Sequence, residues 1–133
     1  MATATNYLAD KLLNHTLRNT VYTAPATVYL SLHTADPTRT GSHTNEVAVG
    51  GYARVAITFG APADNGTAEE VANSALVDFG TASADWGTVT HWGIEDASTA
   101  GNMLFHGALT ASKTVQNGDP VSAAISAVKV NLI

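Results

Sequence analysis

The feature that most constrains the fold is a series of short segments in which apolar and polar residues alternate, each ended by a turn signal. In residues 28–33, Val28, Leu30 and Leu32 alternate with more polar side chains, and Asp36-Pro37 follows as a stop. A period of two places every second side chain on the same face of a strand. This segment therefore predicts a β-strand with one buried face.

Similar segments recur along the rest of the chain, separated by polar or glycine-containing turns. They lie at residues 54–59, 75–79, 88–95, 103–109, 113–115, 121 onward and 128–132, and a polar loop covers 38–45. The turn residues 96–101 and 116–119 each predict a hairpin between the segments that flank them. The fold class indicated is mainly β, an antiparallel β-sandwich or jelly-roll-like fold of about seven or eight strands.

The N-terminal segment has helical periodicity and is the one predicted helix, over about residues 5–18. Thr5 or Asn6 can cap its first turn, and an apolar stripe follows at Tyr7, Leu8, Leu12, Leu13 and Leu17. Because amphipathic helices of this length mostly pack against their own domain, we expect the stripe to be buried rather than exposed for docking. Thr67 and Glu70 also match a helix capping box, should a helical turn follow them.

No linker, repeat or low-complexity tract divides the 133 residues, so a single domain over 1–133 is expected. Hydrophobic residues make up 45% of the chain, which argues against disorder, and no apolar run reaches the roughly 18 residues that cross a bilayer. Asp10 and Lys11 interrupt the region where a signal peptide would be continuous, so no export signal is expected. There is no cysteine for a disulfide or a thiolate ligand.

Charge is sparse, with only 13% charged residues and a net charge of −5. The six basic residues are scattered singly, whereas nucleic-acid-binding proteins gather Lys and Arg into a phosphate-facing patch. No nucleic-acid or membrane partner is therefore expected. The weakly charged surface has two interpretations of equal weight: neighbouring subunits cover part of it, or it is a plain polar, Thr-rich β surface.

Candidate metal-binding residues form no recognised motif. The five histidines are widely spaced, without an H-x-H or H-x-x-x-H pair: His15, His33, His43, His91 and His106. His91 and His106 could face each other across the predicted hairpin, where we expect ordinary cross-strand packing because two ligands make a poor zinc site. We predict no metal, no cofactor and no catalytic residue.

The acidic and aromatic residues also have structural interpretations. The nearest approach to the paired carboxylates of a glycosidase is the group Asp85, Glu95 and Asp96, at predicted turn positions where acids commonly cap strands or solvate loops. No serine lies in a G-x-S-x-G elbow, and no nucleotide-binding loop occurs. The aromatic residues that could stack against a sugar are Tyr52, Trp86 and Trp92, of which Trp92 is expected in the core.

Three stretches carry a family resemblance, and they read ATVYLSLHTADPTRTG, GGYARVAITFGAP and DWGTVTHWGIEDASTAGNMLFHGALTASKTVQNGDPVSAAISAVKVNL. Together with LADKLLNHTL they resemble a widespread family of small virion proteins of tailed phages, labelled tail fibre or capsid decoration proteins. The resemblance implies a non-enzymatic β-sandwich protomer that forms a homo-oligomer, with a trimer favoured. It also implies binding to other virion proteins and a place in the virion after assembly in the bacterial host cytoplasm.

Two placements on the particle follow from the resemblance. A fibre reaches outward through coiled coils, β-helices or repeated modules, none of which this sequence contains, and one domain of this size has a radius of gyration of only roughly 14 Å. The sequence therefore favours a capsid decoration (cement) subunit, bound most simply to the major capsid protein, over a tail fibre or tail-associated protein. The alternative of another class is a host-glycan-binding module.

Overall fold

The computed structural model describes residues 2–132, in which one helix accompanies three antiparallel sheets. In chain order the elements are β1 (Thr3–Ala4), α1 (Asn6–Leu17), β2 (Val28–His33), β3 (Val55–Ile57), β4 (Ala63–Asp64), β5 (Glu69–Ala72), β6 (Val77–Thr81), β7 (Gly87–Glu95), β8 (Met103–Val115), β9 (Pro120–Ala123) and β10 (Lys129–Leu132). The large sheet has the order β1-β8-β7-β2-β3, and the small sheets have the orders β10-β5-β4 and β6-β9. The predicted fold class, mainly β with one N-terminal helix, is confirmed.

The apolar core joins the inner face of the large sheet to both small sheets. Its buried members include Leu30 and Trp92 from the large sheet, Val77 and Val121 from the β6-β9 sheet, and Val130 from β10. In β2 the core residues Leu30 and Leu32 occupy alternate positions, as the period of two predicts. The core is incompletely filled, because a cleft of about 500 Å³ opens between β8 and the strands β9 and β10.

The hairpin predicted between 88–95 and 103–109 is confirmed, since β7 pairs with β8 in antiparallel register. The Trp92 indole lies against β8 where Gly107 has no side chain, and a Cβ atom at Gly107 would stand only 2.7 Å from Trp92 Cζ2. Asp96 closes the turn by accepting a hydrogen bond of 2.7 Å from the Asn102 amide. This local pairing follows from the turn residues.

The second predicted hairpin, between 113–115 and the segment after Pro120, is wrong. β8 continues to Val115 without a break in the strand, and β9 pairs with β6 of a different sheet. The turn between them is attached to the end of β6, because the Ala82 amide donates to Asp119 O (2.9 Å) and the Gly118 amide donates to Ala82 O (2.7 Å). These two bonds direct the chain out of the large sheet into the opposite layer.

The prediction that β2 has one buried face is also wrong, because both faces are buried. Leu30 and Leu32 face the core, and Ser31 and His33 on the other face are fully buried as well. The cover is the segment 34–46, which includes the predicted polar loop. It is held to the strand end by backbone hydrogen bonds from Thr34 N to Asn45 O (2.9 Å) and from Val47 N to Leu32 O (3.0 Å).

The helix begins where its cap predicts, because Thr5 Oγ1 accepts a hydrogen bond from the Leu8 amide. The expectation that its apolar stripe is buried fails beyond the first turns. Leu8 is buried, but Leu13 is 58% and Leu17 is 77% exposed, and Val21 in the following segment is 81% exposed. At about 100° per residue, Leu13 and Leu17 lie on the side of the helix away from Leu8, and at the helix start Thr5 Oγ1 also donates to Met103 O at 2.6 Å.

No helical turn follows Thr67, so the capping-box interpretation is wrong. Asn65 Oδ1 instead accepts hydrogen bonds from the Thr67 and Ala68 amides, both at 2.9 Å, which closes a tight turn between β4 and β5. Within residues 2–132, no helix has the length and apolarity needed to cross a bilayer.

Candidate functional site

The most distinctive group of polar residues lies on the outer face of the large sheet, beneath the segment 34–46. Antiparallel pairing places Ser31 opposite Gly93 and His33 opposite His91 of β7, on the sheet face that also carries Glu95 at the end of that strand. All three side chains have no solvent exposure. Burying an ionised carboxylate is costly unless it is paired and hydrogen-bonded. The partners of Glu95 therefore decide what this site does.

Both oxygens of Glu95 are engaged. Ser31 Oγ donates to Oε1 at 2.7 Å, and His43 Nε2 from the covering segment donates to Oε2 at 2.8 Å. Arg54 Nη1 lies 3.8 Å from Oε2. Burial alone would raise the pKa of Glu95, but the contacts with His33, Ser31 and His43 and the charge of Arg54 outweigh it, so the pKa lies below its ordinary value. Glu95 is therefore held in its ionised form.

Arg54 is the cationic centre of the same network. Its Nε and Nη2 atoms donate to the two carboxylate oxygens of Glu46, each at 2.8 Å, in the bidentate geometry that suits a guanidinium. Its Nη1 donates to the carbonyl oxygens of Ala97 (2.9 Å) and Ala100 (2.8 Å) in the β7–β8 turn. Arg54 thus connects the covering segment, the large sheet and a hairpin turn.

Tyr52 completes the network. Its hydroxyl donates to Glu46 Oε2 at 2.8 Å and accepts from the Leu32 amide at 3.1 Å. Burial raises the pKa of Tyr52 well above its ordinary value, so the hydroxyl keeps its proton. Burial also opposes ionisation of Glu46, but hydrogen bonds from Arg54 and Tyr52 prevail and lower the pKa of Glu46.

The ligand atoms of His43, Glu46 and Glu95 lie within 4.8 Å of one another, a separation that a shared metal ion could bridge. The guanidinium of Arg54 already contacts both carboxylates, and each Glu46 oxygen accepts a short hydrogen bond from it. A divalent cation placed there would meet this positive charge at close range. The arrangement suits Arg54 as the counterion and does not need a metal.

Ser31, His33 and Glu95 resemble a hydrolase triad in composition but differ from it in geometry. Ser31 Oγ lies 2.9 Å from His33 Nε2, yet Ser31 donates its proton to Glu95 rather than to the histidine. In a triad the carboxylate orients the other ring nitrogen, whereas His33 Nδ1 has no hydrogen-bond partner among residues 2–132. Ser31 is also fully buried, so no substrate can reach it.

The remaining histidines do not converge on a ligand in the described part of the chain. His91 pairs with Ala108 and His106 with Gly93, so the two histidines are two residues out of register and do not stand directly opposite each other across the hairpin. His91 Nδ1 lies 2.8 Å from Thr90 Oγ1. Burial lowers the pKa of His106, nearby Asp36 opposes this, and His91 and His33 add to it.

The fifth histidine, His15, lies on the exposed side of the helix, where its Nδ1 accepts from the Tyr22 amide at 3.1 Å. Of the three acids singled out in the sequence, Asp85 and Asp96 do have the predicted structural roles in loops. Asp85 accepts from the Asn117 amide at 2.8 Å. Glu95 does not lie in a solvated turn as predicted, since it is buried at the end of a strand.

The aromatic residues form a core cluster rather than a sugar-binding platform. Trp86 is buried, meets Tyr52 and Phe79 edge to face with ring centroids 5.4 and 6.4 Å away, and donates from Nε1 to Gly50 O at 3.0 Å. Trp92 is buried, as predicted. Both tryptophans are buried, so neither belongs to an exposed aromatic platform of the kind that stacks against a glycan.

Sequence reasoning missed the network as a unit. Its members are Ser31, His33, His43, Glu46, Tyr52, Arg54 and Glu95, and they come from three separated stretches of the chain. The one signal in the sequence is the pair Ser31 and His33 at alternate positions of β2. Their alternation with leucines predicts a side of the strand that faces solvent. Nothing local indicated that the segment 34–46 would fold back over that side.

Comparison with known proteins agrees with this structural character. The family model for Gp80, described as Podophage GP4 fiber I protein gp80, matches residues 3–131 of the chain. No curated protein matches the sequence. The match leaves out only two residues at each end, and the resemblance to phage virion proteins is thereby confirmed. The chain belongs to the family of the podophage fiber I protein gp80, a family of phage virion structural proteins.

Proposed function

We propose that the chain is a non-enzymatic structural subunit of the phage fibre, which joins other virion proteins through contacts rather than chemistry. The observation that carries this proposal is the family match over residues 3–131, because its description names a fibre protein. The chemistry of the interior supports it. The carboxylates of the buried Glu95 and the half-buried Glu46 are each matched by hydrogen-bond donors, and the buried Ser31 is closed to a substrate.

A capsid decoration subunit is the second candidate, and the dimensions of the elements favour it. The helix has 12 residues and the longest strand, β8, has 13. At 1.5 Å per helical residue and about 3.4 Å per strand residue, neither extends far. Within a fibre, a chain of this shape fits a joint or an end better than the shaft.

The exposed apolar side chains indicate where such contacts would form. Leu13, Leu17 and Val21 follow one another along the end of the helix and the segment after it, and each is more than half exposed. Contiguous exposed apolar side chains on a small protein commonly mark an interaction surface. We propose that this stripe packs against a neighbouring virion protein or another copy of the chain, and that the chain forms a homotrimer.

The location is tested by electron microscopy of intact particles labelled on this chain. Density or label on the fibre supports the proposal, whereas label spread over the capsid lattice supports the decoration role. Addition of the purified protein to particles that lack it gives a second distinction. A cement subunit binds the assembled shell and raises its disruption temperature, and a fibre subunit leaves that temperature unchanged.

The stripe is tested with Leu17→Ser. We expect the variant to fold normally, because Leu17 is 77% exposed, but to be incorporated poorly into particles. Ala26→Ser, at another exposed position, is the matched control and should be incorporated normally. Sedimentation equilibrium tests the trimer, which has three times the 13.7 kDa mass of the chain. A monomer at micromolar concentration would contradict the trimer.

A further inference from the structure

The cleft between the sheets has a shape and lining that the structural role does not use. It lies between β8 of the large sheet and the strands β9 and β10 and has a volume of about 500 Å³. Its floor is apolar, formed by Leu30, Leu32, Val89, Trp92 and Val121. Pockets for small molecules commonly have volumes of about 300–1,000 Å³ and a mostly apolar lining. The cleft therefore has the size of a binding site.

An irregularity in β8 shapes the mouth of the cleft. His91 pairs with Ala108, while Val89 pairs with Lys113, so the four residues 109–112 stand opposite Thr90 alone. Leu109 and Thr110 of this bulge line the cleft. β1 pairs with β8 only at Phe105 and His106, so among residues 2–132 the outer edge of the strand beyond them has no partner strand. The opening is therefore built into the pairing of the large sheet.

The mouth has a local charge opposite to that of the whole chain. Lys113 and Lys129 both line the cleft, and they are two of only six basic residues in a chain with a net charge of −5. Neither lysine forms an ion pair with another residue between 2 and 132. The one acidic residue in the lining, Glu70, accepts a hydrogen bond from Asn65 at 3.2 Å. The mouth thus offers two cationic side chains above an apolar floor.

We propose that this cleft binds an amphiphilic anion, with a single aliphatic chain on the apolar floor and an acidic head group beside Lys113 and Lys129. Lysine can cover apolar surface with its methylene chain while its ammonium group meets an anion at the water boundary. A wholly apolar occupant would leave both ammonium groups without a counterion. The charge of the mouth therefore favours a fatty-acid-like carboxylate or an alkyl phosphate over an apolar peptide segment.

The first test is calorimetric titration of the purified chain with octanoate, decanoate and dodecanoate, with dodecyl phosphate as a separate titration. We expect one site per chain, and an affinity that rises about fourfold for each added methylene while the cleft still has room. The phosphate titration distinguishes a preference for a carboxylate from one for a phosphate head group. Absence of saturable binding of all four compounds would overturn the proposal.

The second test separates the two parts of the site. The double variant Lys113→Ala/Lys129→Ala should bind dodecanoate about tenfold more weakly at low salt and should bind dodecan-1-ol as the parent chain does. Lys11→Ala, which removes a cation from the helix, is the matched control and should leave both affinities unchanged. An equal loss for the acid and the alcohol would contradict the assignment of the head group.

The third test fills the cleft with Ala123→Trp and, separately, Ala124→Trp, two substitutions in its lining. At least tenfold weaker dodecanoate binding, with the far-ultraviolet circular dichroism spectrum of the folded chain retained, would support the proposal. Unchanged binding in both folded variants would overturn it. If dodecanoate never binds and the tryptophan variants instead change the oligomeric state, the cleft is a subunit contact and the proposal fails. The location of the chain in the virion is a separate measurement.

Discussion

The two faces of the large sheet are buried in different ways. On the outer face, Glu95 and Arg54 are charged, and each has several partners at hydrogen-bond distance. On the inner face the apolar side chains leave a cleft of about 500 Å³. A gap in an apolar layer loses dispersion energy in proportion to the number of atomic contacts that are missing. A buried charge without partners carries a large desolvation penalty. The polar face therefore tolerates less change than the apolar face.

The largest effect is expected for Arg54→Met, which keeps the length of the side chain but removes its charge. The buried Glu95 and the half-buried Glu46 would lose their cation, and the carbonyl oxygens of Ala97 and Ala100 would lose their donors. We expect a loss of about 3–5 kcal/mol in the free energy of unfolding, measured by urea denaturation. Arg18→Met on the exposed helix end is the control, with a change within about 0.5 kcal/mol. Similar losses for both variants would refute the difference between buried and exposed arginine.

A smaller and graded effect is expected on the inner face. Val77 is buried away from the cleft, whereas Val121 lines it. Val77→Ala should cost about 2 kcal/mol and Val121→Ala about 1 kcal/mol, because the methyl groups of Val121 have fewer packed neighbours to lose. The same urea titrations measure both values. If Val121→Ala were the more costly change, the cleft would have to be tightly packed in solution.

The outermost partner of Glu95, His43, should contribute least among the side chains that contact this carboxylate. The side chain of His43 is 31% exposed, and it donates one hydrogen bond to Glu95. His43→Ala should cost about 1 kcal/mol, since Glu95 keeps Ser31 and Arg54 and water can reach the vacated position. Thr44→Ala, at the next and exposed residue, is the control. A cost near that of Arg54→Met would show that the covering segment is held mainly by His43.

Mild acid should have the weakest effect on the two carboxylates of the outer face, because it protonates Glu46 and Glu95 only as the pH falls below their ordinary pKa of 4.5. The pKa values of Glu46 and Glu95 are lower in the folded chain than the ordinary value of 4.5. Their ionised forms therefore stabilise the fold fully above that pH, and the stabilisation is lost as the pH falls through the folded-state pKa values. Unfolding free energies measured from pH 7 to pH 3 should show this decline. Glu95→Gln should make the decline shallower, whereas the exposed substitution Glu69→Gln should leave it unchanged.

The parts of the fold that follow from nearby residues could be predicted from the sequence. Thr5 as a helix cap and the β7–β8 hairpin both depend on residues within a few positions of each other. The partner of β9 depends on two hydrogen bonds between Ala82 and the turn at residues 116–119, which no local pattern encodes. The role of Glu95 depends on the segment 34–46, which is distant in sequence. The local pattern at the end of β7 therefore predicts a solvated turn position for Glu95, whereas the side chain is buried.

The fibre or capsid location of the chain is a different kind of question. The location depends on which surfaces a partner protein covers. The alternation of apolar residues indicates only which side chains are buried within the fold of the chain itself. The helix illustrates this, because Leu8 is buried whereas Leu13 and Leu17, which the sequence pattern assigns to the same apolar stripe, are exposed. A stripe has the same appearance in sequence whether its own sheet or another molecule covers it.

Thr5 donates to the carbonyl oxygen of Met103, 98 positions further along the chain, and β1 pairs with the same strand. During translation, β1 therefore emerges from the ribosome long before its partner strand β8 has been synthesised. Native closure of the large sheet has to wait until β8 has emerged, and long-range pairing of this kind is slow. Newly synthesised chains should therefore pass through a partly folded state, in which binding to chaperones or association with other chains competes with folding. A low growth temperature should raise the yield of folded protein.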